Sequence, residues 1–208
     1  MIYDLHVHSK YSYDSILEIK TILKIAKKRK LDGIAITDHN TIKGGMAALQ
    51  ENRNPCLDVI VGAEIKTDIG DVIGLYLEEE IHSRVFHDVV EEIHDQNGIV
   101  VLAHPFRNRS NYSQNELNDV DLIEGFNARS SKRANLEAQK LALSAGKMMT
   151  AGSDAHNFFE IGRGRTILNR NEDCDLVGRL LSLEGEESHF YLSHISSLVV
   201  QKLKTFSV

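Results

Sequence analysis

Thiols are scarce in this chain. Its two cysteines, Cys56 and Cys174, lie far apart and form no CxxC pair. That excludes a disulfide framework and a thiolate zinc site, and it points to a reducing, cytoplasmic setting. No apolar run reaches membrane length, and no basic segment leading into an apolar one follows Met1. A soluble, unexported protein with no membrane partner is therefore expected. Basic excess is missing too: 24 Lys and Arg against 30 Asp and Glu leave a net charge of -6. An acidic balance argues against adhesion to extended nucleic acid, while leaving room for a nucleotide or short oligonucleotide at a locally basic mouth. There is no internal repeat and no low-complexity tract. The 208 residues fit a single domain over 1–208, large enough to bury a core without covalent staples.

Histidine is what the chain has in quantity, with ten in all. The opening stretch Asp4-Leu5-His6-Val7-His8 sets two of them at alternate positions, which in a strand puts both on one side. Asp14 follows six residues after His8. The same grammar returns three times: Thr37-Asp38-His39, His104-Pro105 and Ser153-Asp154-Ala155-His156 each follow a short, largely apolar run. In folds that join parallel strands by helices, the carboxyl ends of the strands form the ligand face, so these residues should converge there. His82, His87 and His94 fall in or beside a helical pattern and are expected on the surface.

Strands are expected over 31–36, 57–61, 72–77, 99–103, 121–127, 147–150 and 165–168, after the opening one. The strands over 57–61 and 72–77, separated by a turn at 68–71, suit a hairpin. Helical periods occupy 15–30, 44–51, 83–96 and 131–144, the last closed by Gly146. Residues 107–116 read as a polar loop, 175–183 as a brief helix, 190–192 as extended and 195–206 as a closing amphipathic helix. The Lys and Arg of 24–30 read as the solvated last turn of the first helix. Six or seven strand-helix units in so short a chain predict an α/β fold, either a trimmed barrel or an open sheet.

Imidazole and carboxylate together suit zinc, manganese or iron. The candidate ligands are His6, His8, Asp14, His39, Glu64, His104, Asp154 and His156. That is more than one tetrahedral ion takes. Two or three divalent ions sharing a bridging carboxylate would use the set, with Glu64, alone after Gly62-Ala63, as the bridge. Asp38 is expected to hold His39 or a neighbouring ligand, as ligating imidazoles require.

DLHVHSKYSYD, TDH, the lone Glu64, HP and SDAH together resemble the successive motifs of the PHP family, the polymerase and histidinol phosphatase superfamily of metal-dependent phosphoesterases. The resemblance runs from Asp4 to about Thr166, with the metal motifs over 4–156. It implies a distorted (β/α)7 TIM-like barrel with the ions at its carboxyl-end mouth. It also implies that His6, His8, Glu64 and Asp154 hold one ion, that Asp14, His39 and His156 hold another, and that Glu64 and His104 contribute to a third. Members of the family often supply a further histidine soon after the strand that here carries Glu124 and Asn127, yet Ala128-Arg129-Ser130-Ser131 offers none.

Clustered divalent ions predict hydrolysis of a phosphate ester independently of any resemblance, since a bridging hydroxide attacks phosphorus while the ions neutralise the oxygens. Arg107, and Arg129 or Arg163, are candidates to clamp the phosphate, the alternative being solvent-facing loop arginines. His156 or Asp38 is the candidate to protonate the leaving alkoxide. The expected substrate is a small-molecule phosphate ester or a nucleotide. Two other readings compete. A noncatalytic module binding RNA or a polymerase should have lost several ligands, and a hydrolase of the amidohydrolase kind should offer a strand-end lysine for carbamylation.

Overall fold

The structure, a computed structural model, describes residues 1–107, 111–169, 176, 180–186, 201 and 204. Its backbone alternates strands and helices: β1 (Ile2–Val7), α1 (Ile19–Lys28), β2 (Gly33–His39), α2 (Lys43–Glu51), β3 (Asp58–Lys66), β4 (Asp71–Leu75), α3 (Phe86–His94), β5 (Ile99–Leu102), α4 (Gln114–Asp119), β6 (Leu122–Asn127), α5 (Lys132–Ala145), β7 (Met148–Gly152), β8 (Gly164–Leu168) and β9 (Leu180–Gly185). The strands form one sheet in the order β7-β6-β5-β4-β3-β2-β1-β8-β9. Neighbours β1–β2–β3 and β5–β6–β7 are parallel. β4 runs against both β3 and β5, as the expected hairpin requires, and β8 and β9 are antiparallel additions beside β1. Beyond β7 the chain returns to β1 through a parallel bridge between Val7 and Ala155, with His8 N–H donating to Ala155 O at 2.9 Å and Asp154 N–H to His6 O at 2.7 Å. The result is a nearly closed, distorted TIM-like barrel.

Side-chain chemistry decides which face each strand buries. β2 reads Gly-Ile-Ala-Ile-Thr-Asp-His and is buried almost throughout, the continuous apolar pattern of a parallel strand covered on both faces. One apolar cluster fills the barrel, including Tyr3, Leu5, Ala35, Ile60, Ile73, Val101 and Leu122. A second lies under α1 and α2, where Ile19, Ile22 and Ala26 present the buried stripe of α1. A third lies under α3, α4 and α5 around Phe86, Ile93 and Leu117. α5 starts at Ser131, whose hydroxyl accepts from Ala134 N–H, and stops at Gly146 in the left-handed region at φ 64°.

Two expectations need correction. The loop expected over 107–116 contains the start of α4, because Ser113 and Glu116 form a reciprocal capping box. The brief helix expected over 175–183 is strand from Leu180 on. Leu180 joins Leu176 in the barrel interior while the backbone pairs with β8. The spacing of the leucines suited either state, and the free edge of β8 decided it. The extended segment at 190–192 lies outside the described residues. So does the closing helix over 195–206, apart from Gln201 and Lys204, which are helical. Among the described residues no helix is long and apolar enough to cross a membrane.

Candidate metal centre

A register shift in β1 aims the first two histidines. Tyr3 and Leu5 belong to the barrel interior, but pairing with β2 slips between Asp4 and Val7. The slip reverses the alternation, so that Val7 packs outward beneath α1 and His6 and His8 turn inward at the mouth. β2 ends on His39, β3 delivers Glu64 near its end, and the turns after β5 and β7 supply His104, Asp154 and His156. His104 and Asp154 both take positive φ, 24° and 52°, unusual for residues with a side chain and a mark of backbone constrained by its surroundings.

All eight sequence candidates meet. Glu64 Oε2 lies 3.3 Å from His6 Nε2, 3.2 Å from His8 Nε2 and 3.2 Å from His39 Nδ1, while its Oε1 lies 2.7 Å from His104 Nε2. Asp154 Oδ1 lies 3.6 Å from His6 Nε2 and 3.3 Å from His8 Nε2. Asp14 Oδ2 joins His39 Nε2 at 3.3 Å to His156 Nε2 at 2.9 Å. Donor atoms fall within 4.8 Å of one another in four overlapping sets: His8, Asp14, His39 and His156; His6, His104 and Asp154; His6, His8 and Glu64; and Glu64, Asp71 and His104. Except for His39 and Asp71, these residues are buried. A cavity of about 440 Å³ opens over them.

The surrounding hydrogen bonds show what this donor set is built to hold. His6 Nδ1 donates to Glu124 Oε1 at 3.0 Å. Ser12 Oγ gives its hydrogen to Asp38 Oδ1, so it accepts from His8 Nδ1 at 3.0 Å and from His39 N–H at 2.9 Å. With both Nδ1 atoms protonated, the neutral rings turn two Nε2 lone pairs toward each other only 3.0 Å apart. Such an arrangement repels unless a proton or a metal cation joins it. Asp14 Oδ1 is buried with no hydrogen-bond partner, a second sign of an unmet acceptor. Imidazoles and carboxylates in this mixture fit divalent zinc, manganese or iron.

Without a cation, a proton fills the gap. Burial works against charge on His8, but hydrogen bonds to Asp154 and Glu64 raise it to about 9. Burial likewise opposes ionisation of Glu64, yet His39 and His6 hold it well below the usual carboxylate range. Burial opposes charge on His6 as well, yet Asp154, Glu124 and Glu64 hold it well above its ordinary value, so a cation bound here would displace a proton from the His6–His8 pair, and apparent affinity is expected to climb with pH until the medium passes that raised range. Calorimetric titration of the ion-free protein with Mn²⁺ in buffers of different ionisation heat should show this release. Heats independent of buffer would contradict it.

The candidate arginines part company. Arg107 lines the cavity and donates through Nη2 to Asp154 Oδ2 at 2.6 Å and Asn127 Oδ1 at 2.8 Å; its buried Nε has no partner. Arg129 is buried in the same wall, with Nη1 against His156 Nδ1. Arg163 is no part of that wall and donates to Phe159 O at 3.1 Å. Asp38 is fully buried behind the cluster, not in the cavity wall, and accepts from Ser9 N–H at 2.6 Å, Ser9 Oγ at 2.6 Å and Ser12 Oγ at 3.0 Å. Asp4 plays the same part on the other side, accepting from Ser153 N–H, Ser153 Oγ and Gly162 N–H at 2.9, 2.5 and 2.6 Å. Sequence reasoning passed over Glu124, which orients His6 and accepts from His104 N–H at 2.8 Å, and Asp71 beside His104. Glu124 carried a signal: a buried acid in an apolar strand needs partners. His87 and His94 are exposed, paired with Asp119 and Asp121.

The profile of the PHP domain matches residues 4–192. The uncharacterized protein MJ1587 of Methanocaldococcus jannaschii is 37% identical over 138 residues, covering 60% of this chain and 81% of that protein. PsfC from Pseudomonas syringae superposes with a TM-score of 0.70 at 20% identity, over 97% of this chain and 98% of its own. A two-domain protein from Bacteroides vulgatus, containing a predicted PHP-like metal-dependent phosphoesterase, also reaches 0.70 at 16% identity. That match covers 81% of this chain and 58% of the other, so the chain spans little more than half its length. At such identities the two structures share a fold with this chain.

Proposed function

We propose that this chain, which belongs to the PHP domain family, hydrolyses phosphate mono- or diesters of a small molecule, nucleotide or short oligonucleotide with the help of two or three divalent ions, Mn, Fe or Zn. One observation carries the reading: Glu64 touches His6, His8 and His39 with one oxygen and His104 with the other, the posture of a carboxylate shared between cations. His6, His8, Asp14, His39, Glu64, His104, Asp154 and His156 are the proposed ligands. When bound, such ions supply Lewis acidity and bring the acidity of water toward neutrality, so no serine or cysteine nucleophile is needed.

The chain's own groups do the rest. Arg107 first fixes Asp154, leaving Asp154 Oδ1 toward His6 and His8, and its remaining N–H groups are available to a phosphate oxygen in the cavity. Arg129 adds positive charge to the same wall. His156, held between Asp14 and Arg129, serves as a ligand and not as the proton donor to the leaving alkoxide, since burial and the neighbouring charges of His8 and Arg129 lower it to about 3 and keep its ring neutral. Asp38, being remote from the cavity, serves by holding the strand-end loop.

A screen of nucleotides, histidinol phosphate and short oligonucleotides with Mn²⁺ tests activity and substrate class together. Phosphate release is expected to disappear on thorough chelation, to return with Mn²⁺ and to be lost in His39→Ala. Full turnover in a metal-stripped sample would eliminate the reading, and tight RNA binding with no turnover of any ester would replace it with the noncatalytic alternative.

A further inference from the structure

Among the described residues, Tyr13 is the one aromatic side chain besides histidine in the cavity wall. It stands between Ser12 and Asp14 in the loop after β1, and 54% of it is exposed. One face of its ring lies on the imidazole of His39, with centroids 4.8 Å apart and planes 20° from parallel. With that face covered, the exposure belongs to the edge and the other face. An aromatic face left open at a ligand cavity is a place for another flat group.

The ring is also held still. Lys204 Nζ donates to Lys10 O at 2.9 Å and to Ser12 O, while Ser12 Oγ is bonded to Asp38 and Asp14 to His156. Both neighbours of Tyr13 are thus fixed, so that stacking on it costs little further ordering. Asn40, next to His39, adds a polar edge to the same wall. Its Oδ1 accepts from Lys66 N–H at 3.3 Å, and its amide NH₂ has no partner among the described residues. Arg107 stands across the mouth. It follows β5 and donates to Asn127 at the end of β6 and to Asp154 beyond β7, whereas Tyr13 covers His39 at the end of β2. With β7 bridged back to β1, the sheet order sets these two groups of strand ends on opposite sides. A ligand that meets both carries a phosphate at one end, a flat group at the other and a spacer between them.

We propose that Tyr13 is the stacking platform for a nucleobase, so that the phosphate ester taken here is a nucleotide in preference to a sugar phosphate or an aryl phosphate. This rests on the phosphate-ester reading above and narrows its substrate class. Every base offers a flat π face, which a sugar lacks. In a nucleotide the ribose supplies the spacer, and the free amide of Asn40 donates to an acceptor on the base edge. An aryl phosphate carries its ring beside the phosphorus, too close to span from Arg107 to Tyr13.

The test is calorimetric titration of the ion-free protein, where no metal-dependent turnover intervenes, with AMP, ribose 5-phosphate and phenyl phosphate. AMP should bind roughly 5- to 150-fold more tightly than ribose 5-phosphate, the range for one stacked base. Tyr13→Phe should keep that preference and Tyr13→Ala should abolish it. Tyr13→Leu, which fills the space without a π face, should also lose it and guards against an Ala variant that merely folds poorly. In Mn²⁺-loaded protein the ratio of kcat/KM for AMP over ribose 5-phosphate should fall by the same factor in Tyr13→Leu. Equal wild-type affinities for AMP and ribose 5-phosphate, or a preference that survives both Tyr13→Ala and Tyr13→Leu, would overturn the platform. Phenyl phosphate bound as tightly as AMP, with the same dependence on Tyr13, would overturn the nucleotide in favour of an aryl ester. Turnover without base preference would remove the platform and leave the hydrolase reading standing, whereas base preference without turnover of any ester would remove the hydrolase reading alone.

Discussion

Glu64→Gln is expected to lower phosphate-ester turnover by about 10² to 10⁴-fold while the barrel stays folded. The magnitude follows from position. Loss of a residue that orients or completes a metal site commonly costs roughly 10- to 100-fold, and Glu64 serves two sides, with His6, His8 and His39 on one oxygen and His104 on the other. If the two effects multiply, the range above results. Glutamine keeps the shape of the side chain but removes the negative charge that holds the cluster's cations. It also turns an N–H₂ group toward rings whose lone pairs should face metal. Elemental analysis of the variant should show reduced metal together with the lost activity, and far-UV circular dichroism should match wild type. A variant that keeps its full complement of ions and its turnover would remove Glu64 from the bridging role and with it the arrangement of the whole centre.

How far the sequence alone reaches can be judged from where that centre comes from. The strand-end grammar was legible because it needs only local facts: a short apolar run, then His or Asp, with parallel strands delivering such ends to one mouth. Thus His6, His39, His104 and His156, far apart in the chain, could be expected to meet, and their side chains do lie around one cavity floor. The hairpin of β3 and β4 was equally readable, because its turn residues interrupt two apolar runs. What escaped were features that exist only after folding. The register slip that reverses β1 leaves no mark in its sequence: alternation puts His6 and His8 on one side, but it is the slip that turns that side inward. Asp71 looked like one more turn residue until antiparallel pairing set it beside His104. Leu176 and Leu180 fall within the helix expected over 175–183, but their spacing suits a strand as well, and Leu180 reaches the barrel interior on β9. The capping box of α4, by contrast, was present in Ser113 and Glu116 all along.

Asp38→Ala should be the most damaging change to stability near the site. Both carboxylate oxygens are buried, and together they accept from Ser9 N–H, Ser9 Oγ and Ser12 Oγ. Ser12 in turn fixes His8 and the backbone of His39, so a single carboxylate ties the loop after β1 to the end of β2. α2 is shaped to the same group: a side chain at Gly44 would run into Asp38 Oδ2. Each buried donor left unsatisfied costs about 1–3 kcal/mol. Hydroxyls can turn elsewhere and part of the loop can relax, so the sum is expected near 3 kcal/mol. For a chain of this size, at about 2–4 °C per kcal/mol, that lowers Tm by roughly 6–12 °C. The same experiment separates positioning from proton transfer. If Asp38 positions ligands, Asp38→Asn should lower Tm, metal affinity and kcat together, while the pH profile of kcat/KM keeps its shape. Were Asp38 the proton donor, the Asn variant would keep its Tm and metal content and lose one limb of the pH profile. Burial behind the cluster, with its three side-chain hydrogen bonds all going to Ser9 and Ser12 in the loop after β1, favours the first outcome.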